Sequence, residues 1–148
     1  MRFSDVTVVL QEVPNEVSLC FTVTGCKMSC VGCHSPYLWK EGSGQILTTE
    51  LYNELLLKYK GLVSCVLFMG GEWHENELVN FLKLAKEEGL KTCLYTGLDK
   101  VSLDIKNELT YLKCGSWVNE LGGLNSPKTN QRFIEVKTQK VLNELFLN

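Results

Sequence analysis

Apolar residues along this chain alternate between short dense runs and longer stretches with helical spacing. Asp5–Gln11 and Val17–Thr24 are β-branched and apolar in the manner of strands, and Pro14-Asn15 between them is a turn signal. Thr48 or Thr49 is placed to cap a helix reaching about Lys60, with Leu51, Tyr52, Leu55, Leu56 and Tyr59 on one face and Gly61 as its stop. Leu62–Met69 is a nearly continuous apolar run, the pattern of a strand buried on both faces. A second helix is predicted over Glu75–Glu88, carried by Leu78, Phe81, Leu82 and Ala85 and ended by Gly89. Leu90–Tyr95 predicts another strand, Val101–Asn107 a short helix and Leu109–Cys114 a fourth buried strand. Beyond Gln131 the pattern weakens. Phe133–Val136 reads as extended, and Val141–Leu147 fits a strand or a final helix equally.

This order of strands and helices implies parallel strands joined by helical crossovers. Closing a barrel of eight such units takes about 250 residues. The chain has 148, so the expectation is one α/β domain over residues 1–148, an open partial (β/α) barrel of mainly parallel strands.

Composition narrows the function classes. A formal net charge of −2 leaves no broad basic footprint, which argues against nucleic acid as a partner. No apolar stretch has the length of a membrane span, and the start of the chain lacks the pattern of a secretory signal. Seven cysteines, an odd number, fit reduced thiols in the cytoplasm better than a secreted disulfide framework. Four of them, Cys20, Cys65, Cys93 and Cys114, fall inside apolar runs and read as small core hydrophobes.

The other three carry the chemistry. Cys26, Cys30 and Cys33 follow the second predicted strand at CxxxCxxC spacing, with Gly25 before them and Gly32 inside the motif. Small residues there let backbone wrap close to a metal group and let a ligand approach it. Three thiolates leave a [4Fe–4S] cluster, normally held by four cysteines, with one iron open to a small molecule. A structural zinc site and simple burial of thiols are the competing readings of the spacing. Zinc takes a fourth ligand, and His34 is directly adjacent to Cys33, where sharing one tetrahedral ion is strained. A second motif, Gly70-Gly71-Glu72, closes the buried strand ending at Met69. Ligands of parallel α/β sheets sit at that carboxyl edge. Two glycines allow close approach there, and Glu72 offers an acceptor for an amine. Taken alone, the motif is also an ordinary strand-to-helix turn.

The cysteine loop after one strand and the Gly-Gly-Glu turn after the next resemble the radical S-adenosylmethionine enzymes. The loop Gly25–His34 and the late stretch Leu121–Arg132 are similar to the activating enzymes of anaerobic ribonucleoside-triphosphate reductases. The resemblance runs from Asp5 to about Val136. It implies a radical SAM type of partial barrel and a cluster on Cys26, Cys30 and Cys33. It also implies S-adenosylmethionine bound through Gly32, Cys33, His34, Gly70, Gly71, Glu72, Thr96 and Lys113. Reductive cleavage of that cofactor would yield methionine and a 5′-deoxyadenosyl radical, which takes hydrogen from a glycine of the partner reductase. A low-potential donor such as flavodoxin or ferredoxin would supply the electron. Many members carry an aromatic residue just before the third cysteine; here the position is Gly32. Tyr95, Thr96 and Lys113 stand where ribose or carboxylate contacts are expected. Asn125–Arg132 reads either as a docking loop or as a self-bonded surface loop. Two other functions compete: a small radical enzyme acting on a small molecule, in the manner of a carboxy-deazaguanine synthase, and a non-enzymatic zinc module.

Overall fold

The structure, a computed structural model, describes residues 1–25 and 44–147. Among the described residues, eight strands form one sheet in the order β3-β1-β2-β4-β5-β6-β7-β8, open at both ends. The strands are β1 (Arg2–Val9), β2 (Ser18–Val23), β3 (Gln45–Ile46), β4 (Cys65–Met69), β5 (Lys91–Tyr95), β6 (Tyr111–Cys114), β7 (Arg132–Glu135) and β8 (Lys140–Val141). The helices are α1 (Thr49–Lys58), α2 (Glu75–Glu87) and α3 (Leu103–Lys106), with 3₁₀ turns at Glu72–His74 and Asn143–Phe146.

Among the described residues, only the four central strands, β2, β4, β5 and β6, run parallel to one another. β1 pairs antiparallel with β2 and with β3, and β7 pairs antiparallel with β6 and with β8. The expectation of mainly parallel strands therefore narrows to the centre of the sheet. A parallel neighbour needs a crossover, usually a helix, whereas an antiparallel one does not. No α-helix lies between β6 and β7, so the chain turns back beside β6.

Alternation along each strand sends side chains to two different cores. On β4, Val66 and Phe68 join Leu19, Phe21 and Val23 of β2 in a cluster with Tyr52 and Leu56 of α1 and Leu78, Phe81, Leu82 and Ala85 of α2. The rings of Phe21 and Phe68 stack at 5.1 Å, and the Tyr52 hydroxyl donates to the Phe81 carbonyl at 2.8 Å. Each such fully buried apolar side chain is worth about 1.5–3 kcal/mol. The intervening residues Cys65 and Leu67 meet Cys20, Cys93, Val13, Leu124 and Phe133 in a second cluster, to which no α-helix among the described residues contributes. The β1–β2 connection and the segment after β6 cover that face instead. All four described cysteines are free thiols in these cores.

Local signals set the helix ends. Thr48 caps α1, its Oγ1 accepting the Leu51 N–H at 3.1 Å. The ambiguous tail divides between the two options, Lys140–Val141 as a strand and Asn143–Phe146 as a 3₁₀ turn. Among the described residues no helix is long and apolar enough to cross a membrane.

Candidate cofactor site at the carboxyl edge of the sheet

Parallel pairing puts the ends of β2, β4 and β5 side by side: Thr22 is level with Met69, and Met69 with Tyr95. β2 leads directly into the cysteine segment. Cys26, Cys30, Gly32, Cys33 and His34 themselves lie outside the described residues. The described part of this edge is made by the turn after β4 and the end of β5.

Gly70 and Gly71 both have positive φ, +85° and +114°, a region that L side chains enter only at a cost. A Cβ on Gly70 would sit 2.7 Å from Cη2 of Trp73, so the indole packs on bare backbone. The Gly70 N–H donates to the Tyr95 carbonyl at 2.9 Å and stitches the turn to β5. The turn then enters the 3₁₀ segment Glu72–His74, with the His74 N–H donating to the Gly71 carbonyl at 2.9 Å.

Glu72 is the electrostatic centre of this edge. Its Oε1 accepts the Thr96 hydroxyl proton at 2.5 Å. Its Oε2 is buried and has no hydrogen-bond partner among the described residues. Burial pushes the carboxyl above its usual range; the hydrogen bond from the Thr96 hydroxyl opposes that rise. A buried, half-satisfied carboxylate is costly. An N–H donor from a ligand would offset that cost. The residues present thus fit the amino group of an amino-acid-like cofactor.

The structure divides the remaining site residues. Thr96 turns its hydroxyl to Glu72. Lys113, on β6 opposite Tyr95, lies on the other face, its ammonium 5.4 Å from the centre of the Tyr95 ring. Lys113, Met69 and Tyr95 line a cavity of about 480 Å³ with Trp117, Asn125 and Gln131. Glu12 of the β1–β2 connection reaches the same cavity, held there because its carbonyl accepts the Tyr95 hydroxyl proton. The Glu12 and Trp117 contributions had no signal in the sequence; only the sheet brings them to the site. The Asn125–Arg132 stretch is in part the self-bonded loop. Thr129 bonds the Gly122 carbonyl at 2.9 Å and Asn130 the Ser116 carbonyl at 3.1 Å, while Asn125 and Gln131 face the cavity.

The profile of the 4Fe-4S single cluster domain matches residues 16–121, from the start of β2 through the cysteine segment and the glycine turn to beyond β6. The chain belongs to this family. Its cofactor class is accordingly an iron–sulfur cluster, which displaces the zinc reading of the cysteine spacing. The chain is also 33% identical over 102 residues to the pyruvate formate-lyase-activating enzyme of Clostridium pasteurianum, an alignment covering 56% of this chain and 43% of that protein. It thus spans less than half the length of that curated relative.

Proposed function

We propose that this chain is a radical S-adenosylmethionine activating enzyme that installs a glycyl radical on an anaerobic ribonucleoside-triphosphate reductase. The observation that carries the reading is the orphaned Oε2 of Glu72, buried at the sheet edge next to the strand that runs into the three cysteines. Cys26, Cys30 and Cys33 are the cluster ligands in this reading, and Gly70, Gly71 and Glu72 receive the cofactor's amino group. The bound pair supplies one electron to the sulfonium and, from the broken carbon–sulfur bond, the radical that takes hydrogen from a glycine. The protein's own part is to hold the amino group against Glu72, to let the cofactor approach the bare backbone of Gly70 and Gly71, and to keep water from the reacting atoms. Gly32 and His34 complete the cofactor contacts, and Lys113 reaches it from the cavity side. The open sheet acts as the partial barrel of this superfamily, as a single domain in a reducing cytoplasm, with flavodoxin or ferredoxin as donor. Similarity to an activating enzyme supports an activase; the Leu121–Arg132 resemblance favours the reductase as target.

Anaerobic reconstitution tests the reading. The protein should be brown, hold iron and sulfide rather than zinc, and show a reduced-cluster EPR signal that changes when S-adenosylmethionine is added. Cys30→Ala should lose that response. Mixing with the reductase should give a glycyl-radical signal; a signal with pyruvate formate-lyase alone would move the target and keep the class. The cavity of about 480 Å³ also favours a second reading, since it is of a size for a small-molecule substrate. That reading gains if cofactor cleavage is stimulated by a small heterocyclic carboxylate and no protein radical forms.

A further inference from the structure

The Glu72 carboxylate is held from one side by a residue whose own geometry is fixed. Thr96 is buried just past β5, and its backbone N–H donates to the Lys113 carbonyl at 2.9 Å. Its Oγ1 accepts the Leu98 N–H at 3.1 Å. A hydroxyl has one proton to give. With an N–H already directed at the oxygen, that proton goes to Oε1 of Glu72 at 2.5 Å. The second carboxylate oxygen is left buried and without a partner among the described residues.

We propose that Thr96 is a positioning residue: it anchors one oxygen of Glu72 so that the other is presented to the amino group of S-adenosylmethionine. The inference rests on the assignment of the Gly70–Glu72 turn to that amino group. It moves Thr96 from the cofactor's contact shell to the residue behind it. A glutamate has three side-chain torsions, and an acceptor aimed by a neighbouring strand binds an N–H donor without first losing that freedom. The hydroxyl also favours the ionised carboxylate against burial, which raises its pKa. Valine has the shape of threonine and the same preference for extended backbone, so Thr96→Val removes the proton donor to Glu72 together with the acceptor of the Leu98 N–H, and the cycle with Glu72→Ala separates the two losses.

The test is a double-mutant cycle on cofactor binding. Equilibrium dialysis of S-adenosylmethionine is run with anaerobically reconstituted wild type, Thr96→Val, Thr96→Ser, Glu72→Ala and the Thr96→Val/Glu72→Ala pair. Loss of one charge-assisted hydrogen bond predicts binding about tenfold weaker in Thr96→Val. Thr96→Ser should stay near wild type, and Thr96→Val should have no further effect once Glu72 is alanine. In cluster-free protein, ¹³C NMR of the Glu72 carboxyl, assigned by its absence in Glu72→Ala, should titrate higher in Thr96→Val and unchanged in Thr96→Ser. Should the valine disturb the strand, Thr96→Ala compared with Thr96→Ser repeats the contrast. Equal weakening by Thr96→Val with and without Glu72 would overturn the inference, as would wild-type affinity in Thr96→Val. If Glu72→Ala binds the cofactor as wild type does, the amino-group assignment itself fails. If Glu72→Ala binds weakly while Thr96→Val binds normally, only the role of Thr96 fails.

Discussion

Replacing Gly70 by alanine perturbs the site through its backbone alone. The residue sits at φ +85°. An L residue in that region costs about 1–2 kcal/mol. The new methyl would also lie 2.7 Å from Cη2 and 3.3 Å from Cζ3 of Trp73. Relief requires the indole to leave its rotamer, at about 0.5–1.5 kcal/mol. Together these predict a loss of about 1.5–3.5 kcal/mol. For a domain of this size each kcal/mol lowers the melting temperature by about 2–4 °C, so Gly70→Ala should melt about 3–14 °C below wild type. Urea unfolding of cluster-free protein gives the free energy directly, and thermal melts give the shift. The two costs separate in a cycle with Trp73→Ala, because removing the ring removes the clash and leaves the backbone cost. Gly70→Ala should then be less damaging in the Trp73→Ala background. A Gly70→Ala protein within about 0.5 kcal/mol of wild type, the spread of an ordinary surface change, would refute the strained-turn reasoning. Strict additivity with Trp73→Ala would refute the packing part only.

Burial raises the Glu72 carboxyl above its ordinary 4.5. The unfolded chain therefore loses this proton first as pH rises, and folding stability falls from about 4.5 up to the folded value. Cluster-free Glu72→Gln should lack that fall and unfold at higher urea than wild type at neutral pH; an unchanged pH profile would count against a buried Glu72. The Lys91 ammonium lies 2.7 Å from Glu16, and that hydrogen bond raises its pKa above 10.5. The pair's contribution is complete below 10.5 and fades as pH rises through the folded value, so Lys91→Met should flatten the alkaline limb of the stability profile. Burial pushes the Cys20 and Cys65 thiols up to about 12 and holds Cys93 well above its ordinary value. Peptide mapping after maleimide treatment at pH 8 should find Cys20, Cys65, Cys93 and Cys114 unlabelled until denaturant is added. Rapid native labelling of Cys93 would contradict its packing.

The central elements were legible because their causes are local. Helix α2 announces itself through Leu78, Phe81, Leu82 and Ala85 at helical spacing, and the structure places all four in the core. Thr48 was recognisable as a cap for the same reason. The cysteines in apolar runs were readable as core because a reduced thiol behaves as a small hydrophobe. The edges of the sheet were less legible. β3 and β8 are two residues each, too short to carry a period. The reversal of β7 beside β6 depends on the missing helical crossover, which a strand's own sequence does not record.

By itself, then, the chain's sequence determined its family, its cysteine motif and its succession of strands and helices, since spacing of thiols, glycines and apolar residues is written along one dimension. Tertiary structure alone decided which groups share the site. Thr96 and Glu72 belong to different strand ends, and only parallel pairing of β4 with β5 brings hydroxyl and carboxylate to 2.5 Å. The same pairing left one oxygen of that carboxylate without a partner among the described residues. Hydrogen bonds of this kind depend on strand register, and register is fixed by burial of whole faces rather than by any one residue.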